Sequence, residues 1–237
     1  MHPNIFKASF ALATTLLALA VSVPVEAAFI VAPDEATASS APNQHRQPVK
    51  TVDGSGLSDA SIVETGDPVP TTYPTHDRDN NAGWFSDDNV DVSDHSITFD
   101  LDGLYELTGM YVWNWNFNGG GTQTNDGIND LILEFSNDGI DFSSIPTQSF
   151  SFAQATNSTD YAGEGHTLSP VTAGYVRFNI QSTFEHASGE IGKAAFAEAR
   201  FEAVPEPTAL VLVGVGLLAV LSLRRPSTIS EDPPTAQ

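Results

Sequence analysis

The hydrophobic positions of this 237-residue chain follow two different patterns. Continuous uncharged runs occupy residues 8–25 and 208–223, close to the two ends of the sequence. Between them, short apolar stretches are separated by Gly, Asn and Asp. The end runs predict helices that enter a membrane, because no charge interrupts them. The interrupted stretches predict strands, because they are short, rich in β-branched and aromatic residues, and bounded by turn residues.

The predicted strands lie in the middle of the sequence and are spaced as in an all-β domain. Asn137-Asp138-Gly139 follows one of them, and Gly139 there supplies the positive φ of a turn, so this segment is structural despite its likeness to part of a calcium loop. The pattern predicts an antiparallel sandwich or barrel over residues 57–203. The apolar stretches are Ile97–Leu101, Met110–Trp115, Leu131–Phe135, Phe150–Phe152, Tyr175–Ile180 and Ala195–Phe201.

Residues 1–28 have the organisation of a secretory signal peptide. Lys7 precedes the uncharged run, and Val25-Glu26-Ala27-Ala28 ends it with small residues that suit signal peptidase. A buried N-terminal helix is the alternative, but Pro24 and the following low-complexity stretch oppose it. Because Ala, Ser, Pro, Gln and Thr dominate the sequence up to Gly56, residues 29–56 are predicted to be a linker.

The C-terminal run is predicted to be a transmembrane helix. At about 1.5 Å per residue it reaches about 24 Å, which is shorter than a hydrocarbon core of about 30 Å, so flanking residues must help it to span. Arg224 and Arg225 should stay on the cytoplasmic side, which leaves the large middle domain outside. A buried core helix is the alternative, but a helix that is apolar on every face beside two arginines fits a membrane better.

The order of motifs around this helix resembles the PEP-CTERM sorting signal. Pro205, Glu206 and Pro207 come first, the apolar run follows, and Arg224 and Arg225 close residues 204–225. The resemblance implies export to a Gram-negative envelope or beyond it, an exosortase-type processing protease acting near Pro-Glu-Pro, and an association with exopolysaccharide. The polar tail 226–237 departs from the family, whose members usually end soon after the arginines.

Composition narrows the classes of partner. The chain has 9 Lys and Arg against 30 Asp and Glu, for a formal net charge of −21, and it has no Cys. Such a charge repels phosphate backbones, so we expect no nucleic-acid partner, whereas divalent cations and neutral polymers remain open. Without cysteine there is no disulfide, thiolate metal site or cysteine nucleophile.

Six segments of the middle domain, taken in order, resemble discoidin domains, the coagulation factor V/VIII type C family. This resemblance implies a galactose-binding-like jelly-roll β-sandwich that acts as a binding module, commonly for carbohydrate. The segments are Gly83–Ser86, Ile97–Leu101, Tyr111–Asn116, Leu133–Gly139, Tyr175–Phe178 and Phe196–Phe201.

The resemblance also implies a structural calcium ion where an early loop meets the last strand. Calcium accepts carboxylates and backbone carbonyls together, so such a mixed ligand set is chemically sound. Ala82 departs from the family pattern, since it stands where relatives have a hydroxyl. The alternative is a solvated turn around Arg78, with Glu198 paired to Arg200 or Lys193. Carried over to this sequence, the ligands are Asp77, Asp79, Ala82, Ala197 and Glu198.

The aromatic cluster at the end of the Met110–Trp115 stretch is the predicted ligand-binding feature. In a strand, Trp113, Trp115 and Phe117 would share one face, with asparagines on the other. Aromatic rings beside amide groups suit the apolar face and the hydroxyls of a sugar, although such a stripe is more often core. The predicted ligand-binding residues are Trp115, Asn116, Phe117, Gly119 and Gly120.

No enzymatic motif stands out. The six histidines lack metal-ligand spacing, and there is no Gly-x-Ser-x-Gly nucleophile elbow. We therefore expect a non-enzymatic, exported carbohydrate-binding protein that is anchored in the membrane or lies at the cell surface, with an extracellular glycan or exopolysaccharide as partner. A structural matrix or adhesion protein whose sandwich has no sugar pocket is the alternative.

Overall fold

The computed structural model describes residues 27–41, 44–117 and 123–205. Within these ranges the secondary structure consists of eight β-strands and four short 3-10 helices. The strands are β1 (Phe29–Val31), β2 (Glu35–Ala38), β3 (Trp84–Phe85), β4 (Ser96–Asn114), β5 (Ile128–Ser136), β6 (Gln148–Ser151), β7 (Glu164–Thr183) and β8 (Ala195–Val204). The 3-10 helices are Pro48–Thr51, Ala60–Ile62, Val92–Asp94 and Gln123–Asp126.

The described strands pair antiparallel throughout. Their order is β1-β8-β4-β7-β5-β6, with β2 added to β4 and β3 added to β8. Consecutive strands are therefore seldom neighbours, and most pairings join distant parts of the chain. The predicted all-β class is confirmed.

Two long strands, β4 and β7, pass through both halves of the sheet. The first part of β4 pairs with β2 and with the second part of β7, whereas its later part pairs with β8 and with the first part of β7. The register shifts between Asp100 and Tyr105, where the two parts meet. Such an irregularity bends a strand, so the two halves can fold over one core.

Aromatic side chains from both halves meet in that core. Phe99 of β4 lies 4.9 Å from Phe178 of β7 and 5.8 Å from Phe201 of β8, measured between ring centroids. Phe178 also contacts Phe196 at 5.5 Å. These rings are fully buried and meet edge to face, which is a preferred aromatic geometry. Facing halves with a shared aromatic core make the domain a sandwich, as predicted.

The structure corrects the predicted start of the domain. Residues 29–56 were expected to be a linker, but β1 and β2 lie within them and pair with β8 and β4. Ile30 and Val31 are fully buried. Pattern reading misses these strands because β1 has only three residues and β2 has no large apolar side chain. The structure also joins two predicted strands, Ile97–Leu101 and Met110–Trp115, in the single strand β4 up to Asn114.

The sandwich has two ends with different contents. Phe29 of β1 pairs with Ala203 of β8, so both ends of the described domain leave at one edge, which we call the terminal end. The opposite edge is marked by Asn114, Ala195 and the short strand β3. Here, at what we call the loop end, the connections 44–52, 75–83, 115–117, 123–127, 153–163 and 184–194 gather.

Candidate functional site

The residues predicted to bind a ligand are mostly interior. Regular pairing of β4 shifts between Trp113 and Asn114, and the strand ends there, so the predicted alternation of faces does not continue. Trp115 is 1% exposed and Asn116 is 2% exposed. Phe117 is half-buried and packs 5.9 Å from Trp115. Neither Trp115 nor Asn116 therefore offers a surface to a ligand, which corrects the prediction for both, and Gly119 and Gly120 lie outside the described residues.

Asn116 instead ties loops together. Its Nδ2 donates to the carbonyl oxygens of Ser158 at 2.6 Å, Asp77 at 3.0 Å and His76 at 3.4 Å. These carbonyls belong to two loops that are distant in sequence. A single buried amide thus joins the chain after β4 to both of them.

An aromatic cluster at the loop end is centred on Phe85 of β3, whose own ring is buried. The Cζ atom of Arg46 lies 4.8 Å from its ring centroid, and Nζ of Lys193 lies 5.5 Å away. Trp115 meets the same ring at 5.4 Å, and Phe117 packs on Trp115. Both cations are within the range of favourable cation–π contact. We call Arg46, Phe85, Phe117 and Lys193, with Asp126 and His186 described next, the loop-end cluster.

An acidic and an imidazole side chain complete this cluster. Burial raises the pKa of Asp126 to about 6, while Lys193, His186 and Arg46 oppose the rise and Glu185 adds to it. Gly127, which follows Asp126, forms a β-bridge with Ala195, the residue that pairs with Phe85, so Asp126 lies at the same edge. The His186 ring packs directly on the backbone of Gly192, where an added Cβ would lie 2.2 Å from it. The loop end therefore brings together two cationic donors, a carboxyl acceptor and aromatic faces.

Two cations on one ring are notable in so acidic a chain. The described residues contain six Lys and Arg side chains. Three of them form close ion pairs elsewhere: Lys50 with Asp53, Arg177 with Glu134, and Arg200 with Glu198. Lys193 makes only a longer contact, 3.6 Å, with an exposed Asp88. Much of the positive charge that is free of a close carboxylate thus lies at the loop end.

The predicted metal ligands have contacts in two separate groups. Asp77 and Asp79 have exposed side chains, and each carboxylate accepts from its own turn: Asp77 Oδ1 from the N–H of Asp79, and Asp79 Oδ1 from that of Asn81, both at 2.9 Å. Ala82 is buried and donates its N–H to the carbonyl of Asp79 at 3.2 Å. This turn meets Asn116 and not the carboxylate of the last strand.

Glu198, the predicted ligand from β8, is fully buried beside Ala197 and has an arginine partner. Its Oε1 accepts from Arg200 Nη1 and, at 3.3 Å, from the N–H of Gly54. Arg200 is also buried, and its Nε donates to the carbonyl of Val63 at 3.0 Å. Burial raises the pKa of Glu198 to about 8, Arg200 opposes the rise, and Asp53 adds to it. The loop beside Glu198 is therefore 53–54.

The side chains of the predicted ligands therefore have separate hydrogen-bond partners in the structure. In the part of the chain that the structure describes, no three His, Cys, Asp or Glu side chains are grouped to hold a metal. Glu198 already has a guanidinium beside it, although its Oε2 is buried without a hydrogen-bond partner. Calcium at these residues stays a prediction.

Sequence reasoning missed most of the loop-end cluster. Arg46 lies in the segment read as a linker, Phe85 was assigned only to the family likeness, and Asp126 and Lys193 were considered only for surface charge or ion pairing. Their grouping arises from pairing of β3 with β8, which places residues 84–85 against 195–196. The sequence offered one signal: basic residues are few in the middle of the chain, so each of them could have been singled out as a candidate.

Two shallow depressions lie away from the loop end. One, of about 530 Å³, is lined by Ser61, Ile62 and residues 67–72. The other, of about 220 Å³, lies at the terminal end beside Asp100, Leu104 and Tyr175. Neither combines aromatic faces with paired donors and acceptors as the loop-end cluster does.

The sorting residues lie at the edge of the described chain. Pro205 follows β8 directly at the terminal end, whereas Glu206, Pro207, Arg224 and Arg225 lie outside the described residues. The predicted signal helix and the predicted helix 208–223 also lie outside them. Among the residues that are described, no helix has the length and apolarity to cross a membrane.

Comparison with known proteins gives two family matches. A family model described as the F5/8 type C domain matches residues 35–196, and one described as the PEP-CTERM protein-sorting motif matches residues 203–225. No curated protein sequence matches the chain. Both resemblances seen in the sequence are thus confirmed.

Several solved structures are similar in overall shape. A mutant lectin-binding domain of lectinolysin, complexed with Lewis b, has a TM-score of 0.48 and 15% identity, covering 76% of this chain and 99% of its own. A fucose-binding module of Streptococcus pneumoniae has a TM-score of 0.45 and 10% identity, with coverage of 72% and 92%. CBM32-3 from a family 31 glycoside hydrolase of Clostridium perfringens has a TM-score of 0.46 and 18% identity, with coverage of 74% and 95%.

Proposed function

Because the chain belongs to the F5/8 type C domain family, we propose that it is an exported carbohydrate-binding protein that holds an extracellular glycan at its loop end. The loop-end cluster carries this proposal. A sugar ring has an apolar face that packs on aromatic rings, and hydroxyls that bind charged or amide groups. Phe117, half-buried, supplies the ring that a sugar can reach, Arg46 and Lys193 supply donors over the buried Phe85, and Asp126 supplies an acceptor.

The position of the cluster supports a role at the cell surface. The PEP-CTERM motif begins where β8 ends, at the terminal end, and the cluster lies at the opposite end of the sandwich. Attachment through the C-terminal segment would thus leave the loop end facing outward. We propose that processing near Pro205 by an exosortase-type protease precedes association with exopolysaccharide.

The proposed ligand is a neutral or weakly charged glycan. A net charge of −21 repels strongly anionic polymers at long range, whereas stacking and hydrogen bonds to hydroxyls need no charge on the sugar. Shallow sites of this kind bind weakly. We expect a dissociation constant of roughly 10 μM to 1 mM for each site, so retention on a polymer depends on many copies.

The test is a glycan array followed by titration of the full chain with the oligosaccharides that bind. Phe117→Ala and Lys193→Gln should each weaken binding about tenfold, since each removes one contact of the cluster. Arg177→Gln is the matched control, because Arg177 lies 3.9 Å from the Phe142 ring centroid, away from the loop end. It should leave glycan affinity unchanged.

Three results would change the proposal. Binding that is equally weak in Arg177→Gln would show that the loop end is not the site. A folded chain that retains no glycan would favour the matrix or adhesion alternative. Hydrolysis of a bound oligosaccharide during titration would contradict the prediction that the protein is not an enzyme, which no observation so far tests.

A further inference from the structure

Residues 67–75, which we call the proline segment, lie on the surface and are held at both ends. At its start, the N–H of Ile30 donates to the carbonyl of Asp67 at 2.8 Å. Near its end, Trp113 Nε1 donates to the carbonyl of Pro74 at 2.9 Å. The residues between these two contacts are therefore presented at a fixed place on the domain.

Three prolines keep the proline segment extended. They are Pro68, Pro70 and Pro74, and the segment lies in none of the described helices or strands. A proline has no N–H to donate, and the residue before it is restricted to extended conformations. An extended surface connection of this kind is accessible to an enzyme that modifies side chains.

Two adjacent threonines of the segment have free hydroxyls. Thr71 and Thr72 are exposed, and within the described ranges of the chain no hydrogen bond engages either hydroxyl. Other loop hydroxyls are used by the fold: those of Ser61, Ser93 and Ser143 each donate to an aspartate two residues earlier, at 2.6 to 2.7 Å. Thr71 and Thr72 therefore have no such structural task.

Both threonines line the larger of the two depressions. Its volume is about 530 Å³, which lies in the range of small-ligand pockets, and its other lining residues are Ser61, Ile62 and residues 67–70. Ile62 is 39% exposed, which is unusual for a large apolar side chain of this domain. The depression thus places apolar walls and the carboxylate of Asp67 directly beside two free hydroxyls.

We propose that Thr71 and Thr72 form an O-glycosylation site and that the first sugar of the attached glycan lies in this depression. A sugar linked to either Oγ1 rests its apolar face on Ile62 and the prolines, and its hydroxyls bind Asp67. Exposed threonines among prolines are typical of O-glycosylated segments. The sugar covers the apolar side chain that the fold leaves exposed.

The modification is a glycosyl transfer from a lipid-linked sugar diphosphate. A bond forms between the threonine Oγ1 and the anomeric carbon of the sugar, and the bond from that carbon to the diphosphate oxygen breaks. The lipid diphosphate leaves with the electron pair, and the hydroxyl proton goes to a base of the transferase. The donor is lipid-linked because the PEP-CTERM motif indicates export, and nucleotides stay in the cytoplasm. The same reason disfavours phosphorylation by a nucleoside triphosphate.

The place of the site gives the glycan a role at the sheet edge. β1 pairs with β8 on one side, and on its other side Ile30 exchanges backbone hydrogen bonds with Gly66 and Asp67. Exposed edges of sheets invite pairing with another molecule. A bulky, hydrated sugar beside this edge shields it. The depression lies away from the loop end, so the proposal does not depend on the glycan-binding site.

The test is peptide mass spectrometry of the full chain isolated from the envelope of its native host. Trypsin releases residues 51–78 as one peptide, which contains both threonines. This peptide should carry the mass of one or more sugar residues, and electron-transfer fragmentation should locate them on Thr71 or Thr72. The double variant Thr71→Val, Thr72→Val removes both hydroxyls and keeps the side-chain shape, so its peptide should have the mass of the bare sequence.

The matched control is the double variant Thr156→Val, Thr159→Val. These threonines are also exposed, but their loop, 153–163, has no proline. The control should leave the added mass on peptide 51–78 unchanged, and both double variants should keep the wild-type circular dichroism spectrum, which shows that they fold. Four outcomes overturn the proposal: a bare peptide 51–78 in the native protein, phosphate in place of sugar, sugar on another residue of the peptide with Thr71 and Thr72 free, or an added mass that persists in Thr71→Val, Thr72→Val.

Discussion

Two buried polar side chains of this protein, Glu198 and Asn116, hold loops against the sandwich in opposite ways. Glu198 is an ionisable carboxyl group, and the chain supplies Arg200 beside it together with the N–H of Gly54. Asn116 is neutral, and its nitrogen is bound by three carbonyls while its oxygen is left alone. Both side chains are almost inaccessible to solvent.

The difference follows from what each group costs when buried. A buried carboxylate without a counter-charge is prohibitive, so a fold that keeps one must provide a cation. A buried amide oxygen costs far less, so a fold can leave it for an ion or water to satisfy. The protein itself therefore supplies a partner for a buried ionisable group, whereas a buried neutral group can be left for a ligand to pair with.

Removal of the internal cation should have the largest effect. Arg200→Ala strands Glu198 in the interior, and the free energy of unfolding should fall by about 3 to 5 kcal/mol. For a domain of this size that corresponds to a melting temperature lower by roughly 10 °C. Arg177→Ala, which breaks a partly exposed ion pair with Glu134, should lower stability by about 1 kcal/mol or less. Equal losses would mean that burial of Glu198 is not what makes its pair important.

The second largest effect should be on the pH dependence of stability, to which Glu198 contributes and Asn116 does not. The pKa of Glu198 rises from 4.5 to about 8 on folding, so the folded state binds its proton more tightly. Its stabilising contribution is complete below about pH 4.5 and is lost as the pH rises through about 8. Glu198→Gln should flatten this decline by several degrees in melting curves taken with chelator between pH 5 and pH 8.5. Asn116→Ala, which removes no titrating group, should keep the wild-type slope.

A comparison of the two asparagines gives a smaller effect. Asn114→Ala removes four hydrogen bonds and should lower the free energy of unfolding by about 3 kcal/mol in chelator. Asn116→Ala removes three and an unpaired oxygen, so it should cost about 2 kcal/mol. Thermal melts of the two variants measure the difference, and a loss as large in Asn116→Ala as in Asn114→Ala would contradict the unequal pairing of the two amides.

The smallest effect concerns Asp79, an exposed carboxylate of the turn that Asn116 holds and one of the predicted calcium ligands. Asp79→Asn keeps the side-chain oxygen that accepts from Asn81, so stability in chelator should change by less than about 0.5 kcal/mol. The gain in melting temperature with calcium should shrink, because one attracting charge is lost. Asp59→Asn, which caps the turn at Ser61 in the same way, should keep the full calcium response.

Much of the fold could be predicted from the sequence because most of these strands can be recognised from their own residues. The stretches around Leu133, Phe178 and Phe201 are short, apolar and bounded by turn residues, and all three lie in strands. The strands β1 and β2 could not be found in this way. Their pairing with β8 and β4 depends on partners elsewhere in the chain, and no local pattern records it.

The sites were harder to predict because they depend on which loop meets which. The family resemblance implied that Asp77 and Asp79 approach Glu198, and in the structure the loop that contacts the Glu198 carboxyl group is Asp53-Gly54. Likewise, Arg46 and Lys193 meet over Phe85 only because β3 pairs with β8. Spacing along the chain does not contain this information.

The pairing of β1 with β8 has a consequence for how the protein is made. Export through a membrane delivers the chain from its N-terminus, so Phe29–Val31 emerges early and its partner, Ala203 back to Phe201, emerges only after the rest of the sheet. Ile30 and Val31, which are fully buried in the folded domain, therefore stay unpaired and exposed until nearly the whole domain has been delivered. Such a topology folds slowly and late, because distant contacts bear the full entropy of closing the chain between them. We therefore expect holding chaperones on the far side of the membrane to meet this domain before any sugar does.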